Sequence, residues 1–320
     1  MLLLSVMIKF SEVEINSSMD KVINHPDLTF LQGLSCRDSS SSTFGPLVTL
    51  AQLIYFECGG IALSVCMSHK LVGDACSAYN FLRDWARLTR DPKLTLSPPY
   101  FAKDSLMPSP FDGPLLSHVI EPKKKRCIQK RFVFSESKIN ALIALVVAES
   151  SVQNPTRNEI VSTLLYKCAA SSSTTNFGRS QLVLPLNLQS QASLQPPLPP
   201  TTIGNILSIF STPIYENYER NLKLPKLVTD IRKSKHDLST RNNIQENMFV
   251  TEMLEAYRTD FGLGKPARAS KGSGPSSNTF ILMNTPDDHG RGVEAFVNLN
   301  EEDMSVFIND KDLLQFATPF

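Results

Sequence analysis

The sequence predicts a mixed α/β fold in two domains, and three features predict it. The segment Ile61–Met67 alternates with the period of a strand, and apolar residues recur at helical spacing from Asp74 onward. Between residues 89 and 122 this periodicity lapses, and strand and helix patterns then resume. The chain has 320 residues, enough for one large core or two medium ones.

The first of these elements predicts a buried strand. Apolar residues occupy one face and smaller residues the other: Ile61, Leu63, Val65 and Met67 against Ala62, Ser64 and Cys66. The strand leads directly into Ser68-His69-Lys70. We therefore expect His69 at the end of a strand, in the turn that leads into a helix.

Asp74 is the predicted N-cap of that helix, because a short carboxylate can accept hydrogen bonds from the first helical N–H groups. The apolar face would carry Ala78, Phe81, Leu82 and Trp85. Farther on, Pro98, Pro99, Pro108, Pro110 and Pro114 interrupt the 89–122 stretch. A stretch of this length without elements of its own predicts an interdomain crossover.

The second half resumes the alternation of elements. It begins with a predicted strand over 131–134 and a helix that carries Ile139, Leu142, Ile143 and Val146. A Thr156/Glu159 capping box then opens a helix that runs through Tyr166, and loops are predicted at 171–175 and 196–200. Near the end of the chain a strand is predicted over 293–299, followed after Asn300 by a helix with Met304, Phe307 and Ile308. The predicted domains are 1–100 and 122–320, joined by a crossover loop at 101–121.

Composition excludes several classes of function. A formal net charge of +1 argues against a protein that coats nucleic acid or anionic lipid. The six cysteines are scattered, which predicts reduced, mostly buried thiols and no zinc site. The opening residues lack the features of a signal peptide, and no apolar run reaches the length of a membrane helix. We expect a cytoplasmic protein with no membrane segment.

Several strings together resemble the plant BAHD family of acyl-CoA-dependent acyltransferases, in its vinorine synthase-like branch. They occur in family order: Tyr55-Phe56-Glu57-Cys58-Gly59-Gly60, then the strand with Ser68-His69-Lys70 and Asp74 as an HxxxD-like motif, 131–134 with Ser137-Lys138-Ile139, 159–168, Ile203-Gly204-Asn205, and 260–266 as a DFGWG-like motif. The resemblance implies two similar mixed-sheet α/β domains, the first of them incomplete.

The resemblance also implies the chemistry. Acyl transfer from a thioester needs a base for the acceptor's proton, and a histidine with a pKa near neutrality suits that role. His69 is the implied catalytic base, while Asp74, Asp260, Gly262 and Gly264 are implied structural-motif residues. The implied partners are acyl-CoA, expected as acetyl-CoA, and a small-molecule alcohol. A monomer with no bound cofactor and no metal is expected, and residues that contact CoA stay unassigned.

Departures from the family pattern support an alternative, a catalytically impaired or inactive remnant. Four residues separate His69 from Asp74 where the family has three, and we expect Gly73 to absorb the extra one. Gln189 stands where the family carries an arginine partner for Asp74. Leu263 replaces the tryptophan of DFGWG, with a packing loss if the site is buried. The family's opening segment and a strand before Asp260 have no counterpart.

A basic run at 123–126, continued by Lys130 and Arg131, allows three interpretations. A nuclear or nucleic-acid signal is one, and a site attracting the CoA phosphates is another. The overall charge balance favours a solvated rim at the end of the crossover.

Overall fold

The computed structural model describes residues 8–24, 28–35, 49–67, 73–101, 127–173, 179–188, 197–216, 222–236, 248–254, 257, 259–270, 277–286 and 290–320. By its contacts the chain forms two compact units. Unit 1 comprises 1–104, 187–206 and 256–274, and unit 2 comprises 105–186, 207–255 and 275–320. The predicted boundaries at 100 and 122 stay a prediction, since 102–126 lie outside the described residues. The contacts also assign two later segments, 187–206 and 256–274, to unit 1 rather than to unit 2.

Unit 1 contains a three-stranded sheet in the order β1-β2-β3. Strand β1 (Ile8–Ile15) runs parallel to β2 (Thr49–Phe56), which pairs antiparallel with β3 (Ile61–Met67). Two short helices, α1 (Asp20–Ile23) and α2 (Leu28–Gly33), lie between β1 and β2 in the chain. The strand bounds predicted from alternation are confirmed, but the predicted burial is wrong. In the described part of this sheet β3 is an end strand, Ile61 is 41% exposed and the other β3 residues are half-buried.

The helix predicted after the strand is confirmed as α3 (Ala75–Arg90), with Asp74 as its N-cap. The predicted apolar face, Ala78, Phe81, Leu82 and Trp85, is only half-buried, whereas Ser77, Asn80 and Ala86 are buried. The chain then runs to β4 (Tyr100–Phe101), which pairs in parallel with β7 (Thr202–Ile203). The predicted loop near 196–200 is confirmed for its described part, 197–200, which contains no helix or strand.

Unit 2 is built on an eight-stranded sheet. The strand order among described residues is β13-β5-β12-β11-β10-β6-β8, with β9 also paired to β6. The strands are β5 (Cys127–Phe134), β6 (Arg179–Asn187), β8 (Leu207–Ser211), β9 (Tyr215–Glu216), β10 (Met248–Leu254), β11 (Thr279–Asn284), β12 (Val293–Asn300) and β13 (Thr318–Pro319). The pairs β10–β11 and β10–β6 are parallel, while β12 is antiparallel to both its neighbours.

Helices cover one face of this sheet and form the main core with it. They are α4 (Glu136–Glu149), α5 (Arg157–Ser172), α6 (Leu224–His236), α7 (Glu301–Phe307) and α8 (Lys311–Phe316). The predicted capping box of α5 is confirmed, as is the predicted helix after Asn300, and the structure shows that Asn300 is the N-cap of that helix. Strand β12 is buried on both faces rather than one, so Glu294 and Asn298 are interior residues.

The loop predicted to begin at Ser171 is wrong in its first two residues, because α5 continues through Ser172. The hydroxyls of Ser171 and Ser172 donate to the carbonyls of Lys167 and Cys168, four residues earlier. Such back-bonding lets serine stay inside a helix. Within the described parts of the chain, no helix is long and apolar enough to cross a bilayer.

Candidate active site

The structure describes the residues on both sides of the segment that joins β3 to α3. Met67, the last residue of β3, pairs with Thr49 of β2. On the far side, Asp74 begins α3 as its N-cap. The predicted base His69 lies in the segment 68–72, which is outside the described residues. Its place in the chain, between these two fixed points, is the sequence-based expectation.

Asp74 is buried, and each of its two carboxylate oxygens accepts a backbone hydrogen bond. The N–H of Ser77 donates to Oδ1 at 3.0 Å, and the N–H of Ile206 donates to Oδ2 at 3.2 Å. Among the described residues no cation lies within ion-pair distance of it. The N-terminal end of a helix carries a partial positive charge, which also favours a carboxylate there. Helix capping and a second backbone donor therefore stabilise the Asp74 carboxylate, for which the sequence offered no charged partner.

Ser77 joins the same cluster through its hydroxyl. Its Oγ accepts from the N–H of Gly204 at 3.1 Å and lies 3.2 Å from both Asp74 Oδ1 and the carbonyl oxygen of Gly204. One hydroxyl proton can serve only one of these two acceptors at a time. The segment Gly204–Ile206 is thus tied to the start of α3 by backbone and side-chain hydrogen bonds.

Gly73 occupies a conformation that favours glycine. Its φ is +115°, in the left-handed region that glycine tolerates. That Gly73 absorbs the extra position between His69 and Asp74 stays a prediction. A Cβ atom there would lie 2.8 Å from the backbone of Gly204 and 2.7 Å from Ser77 Oγ. The close approach of the two backbone segments therefore depends on the missing side chain.

The DFGWG-like segment forms a tight loop in unit 1. Asp260 Oδ1 accepts from the N–H groups of Gly262 and Gly264, at 2.8 and 3.1 Å. Both glycines have positive φ, +94° and +93°. The expected packing loss at Leu263 does not arise, because that side chain is 79% exposed. Instead Phe261 packs edge-on against Trp85 of α3, with ring centroids 5.4 Å apart.

The prediction that the basic residues form a solvated rim is wrong for Arg131. Arg131 forms an ion pair with Glu294, and the two side chains are 14% and 1% exposed. Arg131 also lies over the ring of Phe320 at 4.7 Å. The run at 123–126 lies outside the described residues, so the interpretations of that run stay predictions.

The described cysteines differ in burial, although mostly buried thiols were predicted. All five described cysteines are free, but only Cys168 is buried, whereas Cys58 is exposed and the others are half-buried. Burial raises the pKa of Cys127 to about 11 and raises the pKa of Cys168 still further. In the described residues no cluster of three or more His, Cys, Asp or Glu side chains could hold a metal ion.

Comparison with known proteins decides the family. A model of the Transferase family matches residues 8–256. Acyltransferase Pun1 from Capsicum frutescens is 36% identical, over 96% of this chain and 76% of that protein. The chain belongs to the BAHD acyltransferase family. A BAHD relative from Strychnos nux-vomica, 17,18-epoxy-17-hydroxycur-19-ene N-malonyltransferase, is 35% identical over 97% of this chain and 71% of its own length.

The fold agrees with that membership. The crystal structure of the BAHD enzyme vinorine synthase superposes with a TM-score of 0.76 and 25% identity, covering 95% of this chain and 76% of that one. The mixed α/β class and the vinorine synthase-like branch predicted from the sequence are confirmed, and by its family the chain is an acyltransferase.

The sequence did not predict which motifs of this BAHD chain contact one another. Asp74 and Ile203-Gly204-Asn205 were separate points of resemblance, and nothing in local periodicity links them. The hydrogen bond from Ile206 to Asp74 spans 132 positions of the chain. The shared order of motifs was the only signal that could have suggested the contact.

Proposed function

We propose that this chain transfers an acyl group, expected to be acetyl, from acyl-CoA to a hydroxyl of a plant specialised metabolite. His69 is the general base. The imidazole takes the hydroxyl proton as the alcohol oxygen attacks the thioester carbonyl, and a tetrahedral intermediate forms. Its collapse breaks the carbon–sulfur bond, and the proton passes from the imidazolium to the departing CoA thiolate.

The observation that carries this proposal is the anchoring of Asp74. The carboxylate accepts from Ser77 at 3.0 Å and from Ile206 at 3.2 Å, so it is engaged away from any role in proton transfer. In this proposal Asp74 is a positioning residue that holds the end of the His69 turn. Such anchoring matters because a displacement of about 1 Å in a catalytic group can cost about 100-fold in rate.

The loop Asp260, Gly262 and Gly264 is proposed to act structurally as well. Its hydrogen bonds are internal, and Phe261 supports α3, the helix that follows the His69 turn. We further propose that the protein works as a monomer in the cytoplasm, with acyl-CoA as co-substrate and no resident cofactor. Analytical ultracentrifugation at assay concentration would test the monomer.

The test is product formation by the purified chain. Acetyl-CoA and malonyl-CoA are each supplied with a panel of terpenoid and alkaloid alcohols and amines, and products are detected by mass spectrometry. General-base catalysis contributes about 100- to 10,000-fold, so His69→Ala is expected to lose turnover to that extent with an unchanged unfolding midpoint. Equal turnover by His69→Ala and the unaltered chain would exclude His69 as the base.

A second candidate function is a catalytically impaired remnant, and one observation favours it. The alignment with the Capsicum relative spans 341 positions, although the chain contributes only 96% of its 320 residues. That relative therefore has internal residues with no counterpart here. A chain that is folded by circular dichroism but gives no product with any donor or acceptor would support the remnant.

A further inference from the structure

The buried face of α3 is mainly polar. The buried residues of this helix are Ser77, Asn80 and Ala86, and Ser77 is 0% exposed. Ser77 and Asn80 are three positions apart, so they are neighbours on one face of the helix. Because the predicted apolar face of α3 is only half-buried, hydrogen bonds from its polar face contribute much of what holds the helix in place.

Both polar residues bind one distant segment of unit 1, residues 200–206. Asn80 donates from its amide nitrogen to the carbonyl of Pro200 at 3.1 Å, and the N–H of Gly204 donates to Ser77 Oγ at 3.1 Å. Between these two contacts the segment forms β7, which pairs with β4. The segment is therefore held by β4 as well as by α3, and it provides a fixed reference for the first turn of the helix.

The hydroxyl of Ser77 connects the cap of α3 to this segment. Its Oγ accepts from Gly204 and lies 3.2 Å from Asp74 Oδ1 and from the carbonyl oxygen of Gly204. A serine hydroxyl can accept and donate at the same time, whereas an ionised carboxylate only accepts. On the other side of Asp74, Gly73 approaches the Gly204 backbone so closely that an added Cβ would lie 2.8 Å from it. Ser77 thus bonds to the residue against which Gly73 is packed.

We propose that Ser77 is a positioning residue for acyl transfer. It holds Gly73 and Asp74, the residues that follow the segment carrying His69, against Gly204. The proposal rests on the proposed function of His69 as the base, and Ser77 itself touches no substrate.

Ser77→Ala removes the acceptor of the Gly204 N–H and a neighbour of the Asp74 carboxylate in one step. A displacement of about 1 Å in a catalytic group can cost about 100-fold in rate, so kcat is expected to fall about 10- to 100-fold. The KM values for acyl-CoA and for the alcohol are expected to change little, because the variant misplaces the base and leaves the contacts to both substrates.

Two further variants separate positioning from general anchoring of the helix. Ser77→Thr keeps the hydroxyl and is expected to recover most of the lost kcat. Asn80→Ala is the matched control, because it breaks the other hydrogen bond between α3 and the same segment, one turn farther from Asp74. It is expected to lower the unfolding midpoint and to leave kcat unchanged.

A second readout needs no turnover. The imidazole resonances of the five histidines are recorded by NMR, and His69→Gln assigns the one from His69. Ser77→Ala is expected to shift the His69 resonance, Ser77→Thr to return it, and Asn80→Ala to leave it in place. An unaltered chain that forms no product, but whose His69 resonance shifts in Ser77→Ala, would contradict the proposed function and still support the positioning role.

The proposal is overturned if folded Ser77→Ala keeps the His69 resonance of the unaltered chain. It is also overturned if Ser77→Ala and Asn80→Ala change that resonance, or kcat, to the same extent, since Ser77 would then only anchor the helix. If Ser77→Ala does not fold, Ser77→Cys is measured in its place. Its thiol fills the same space but is a weaker donor and acceptor, so the same shift and loss are expected in smaller degree.

Discussion

Asp74 is a buried carboxylate stabilised by neutral donors. Burial of an isolated charge is costly, but hydrogen bonds to an ionised group are shorter and stronger than neutral ones. Here two backbone N–H groups and the Ser77 hydroxyl surround the carboxylate, and one of those N–H groups is an otherwise unsatisfied group of the first helical turn. Asp74 thus accepts a hydrogen bond from the first turn of α3 and another from Ile206, which is distant in the sequence.

Gly73 offers the sharpest prediction at the scale of one residue. Gly73→Ala adds a Cβ at positive φ and within 2.8 Å of the Gly204 backbone, so both strain and steric overlap oppose it. We expect a loss of at least about 2 kcal/mol in the free energy of unfolding, measured in urea.

The matched control for this change is Gly59→Ala. Gly59 also has positive φ, +80°, but no atom lies within 4 Å of its added Cβ. Only the conformational strain remains, about 1 kcal/mol. Equal losses in the two variants would show that the approach of Gly204 to Gly73 contributes nothing to stability.

At the scale of elements, the DFGWG-like loop acts through Phe261 rather than through position 263. Leu263→Trp restores the residue of the family motif but at an exposed site, so we expect a change within about 0.5 kcal/mol. Phe261→Ala removes the edge-on contact with Trp85 and is expected to cost about 1 to 2 kcal/mol. Thermal unfolding compares the two. A clear stabilisation by Leu263→Trp would show that position 263 packs after all.

The pair Arg131–Glu294 links β5 to β12 in the interior of unit 2. Glu294→Ala leaves the guanidinium buried without its partner, so we expect a loss of about 3 to 5 kcal/mol in urea unfolding. Replacing both residues, Arg131→Met with Glu294→Leu, removes the charge as well and should recover most of that loss.

The exposed pair Arg179–Glu216 is the control for this cycle. Its atoms are 2.8 Å apart, but its side chains are 58% and 32% exposed, and Glu216→Ala is expected to cost less than about 1 kcal/mol. If Glu294→Ala costs no more than Glu216→Ala, the buried pair is not needed for the stability of the sheet.

At the scale of the whole molecule, the thiols report on folding. Backbone hydrogen bonds from Met19 and Gly60 lower the pKa of Cys58 from its ordinary value of 9.0, and this thiol is exposed. We expect Cys58 to react first with an aromatic disulfide reagent at neutral pH, since the thiolate is the reactive form. The midpoint of its labelling rate against pH should lie below 9, whereas that of Cys127 should lie near pH 11.

Cys168 is expected to react only when unit 2 unfolds, because it is buried in the main core. Cys58→Ser should remove the fast phase of labelling. Cys76 is half-buried, so Cys76→Ser is the matched control and should leave that phase intact. A fast phase that survives Cys58→Ser would contradict the assignment.

The order of its motifs indicated the family, and the sequence by itself determined the α/β class, most predicted elements and the N-caps Asp74 and Thr156. These features depend on residues within one or two turns of each other, so local spacing encodes them. The parallel strands β1, β2, β6 and β10 were not predicted, because their residues lack a clean alternation, and pairing between distant segments defines them.

Only the tertiary structure decided which side chains are buried and which residues they contact. It placed β3 at the outside of its sheet, exposed Leu263, buried Arg131 against Glu294, and joined Asp74 to Ile206. Each of these depends on segments far apart in the chain, and their meeting is set by the packing of the whole unit rather than by any local pattern.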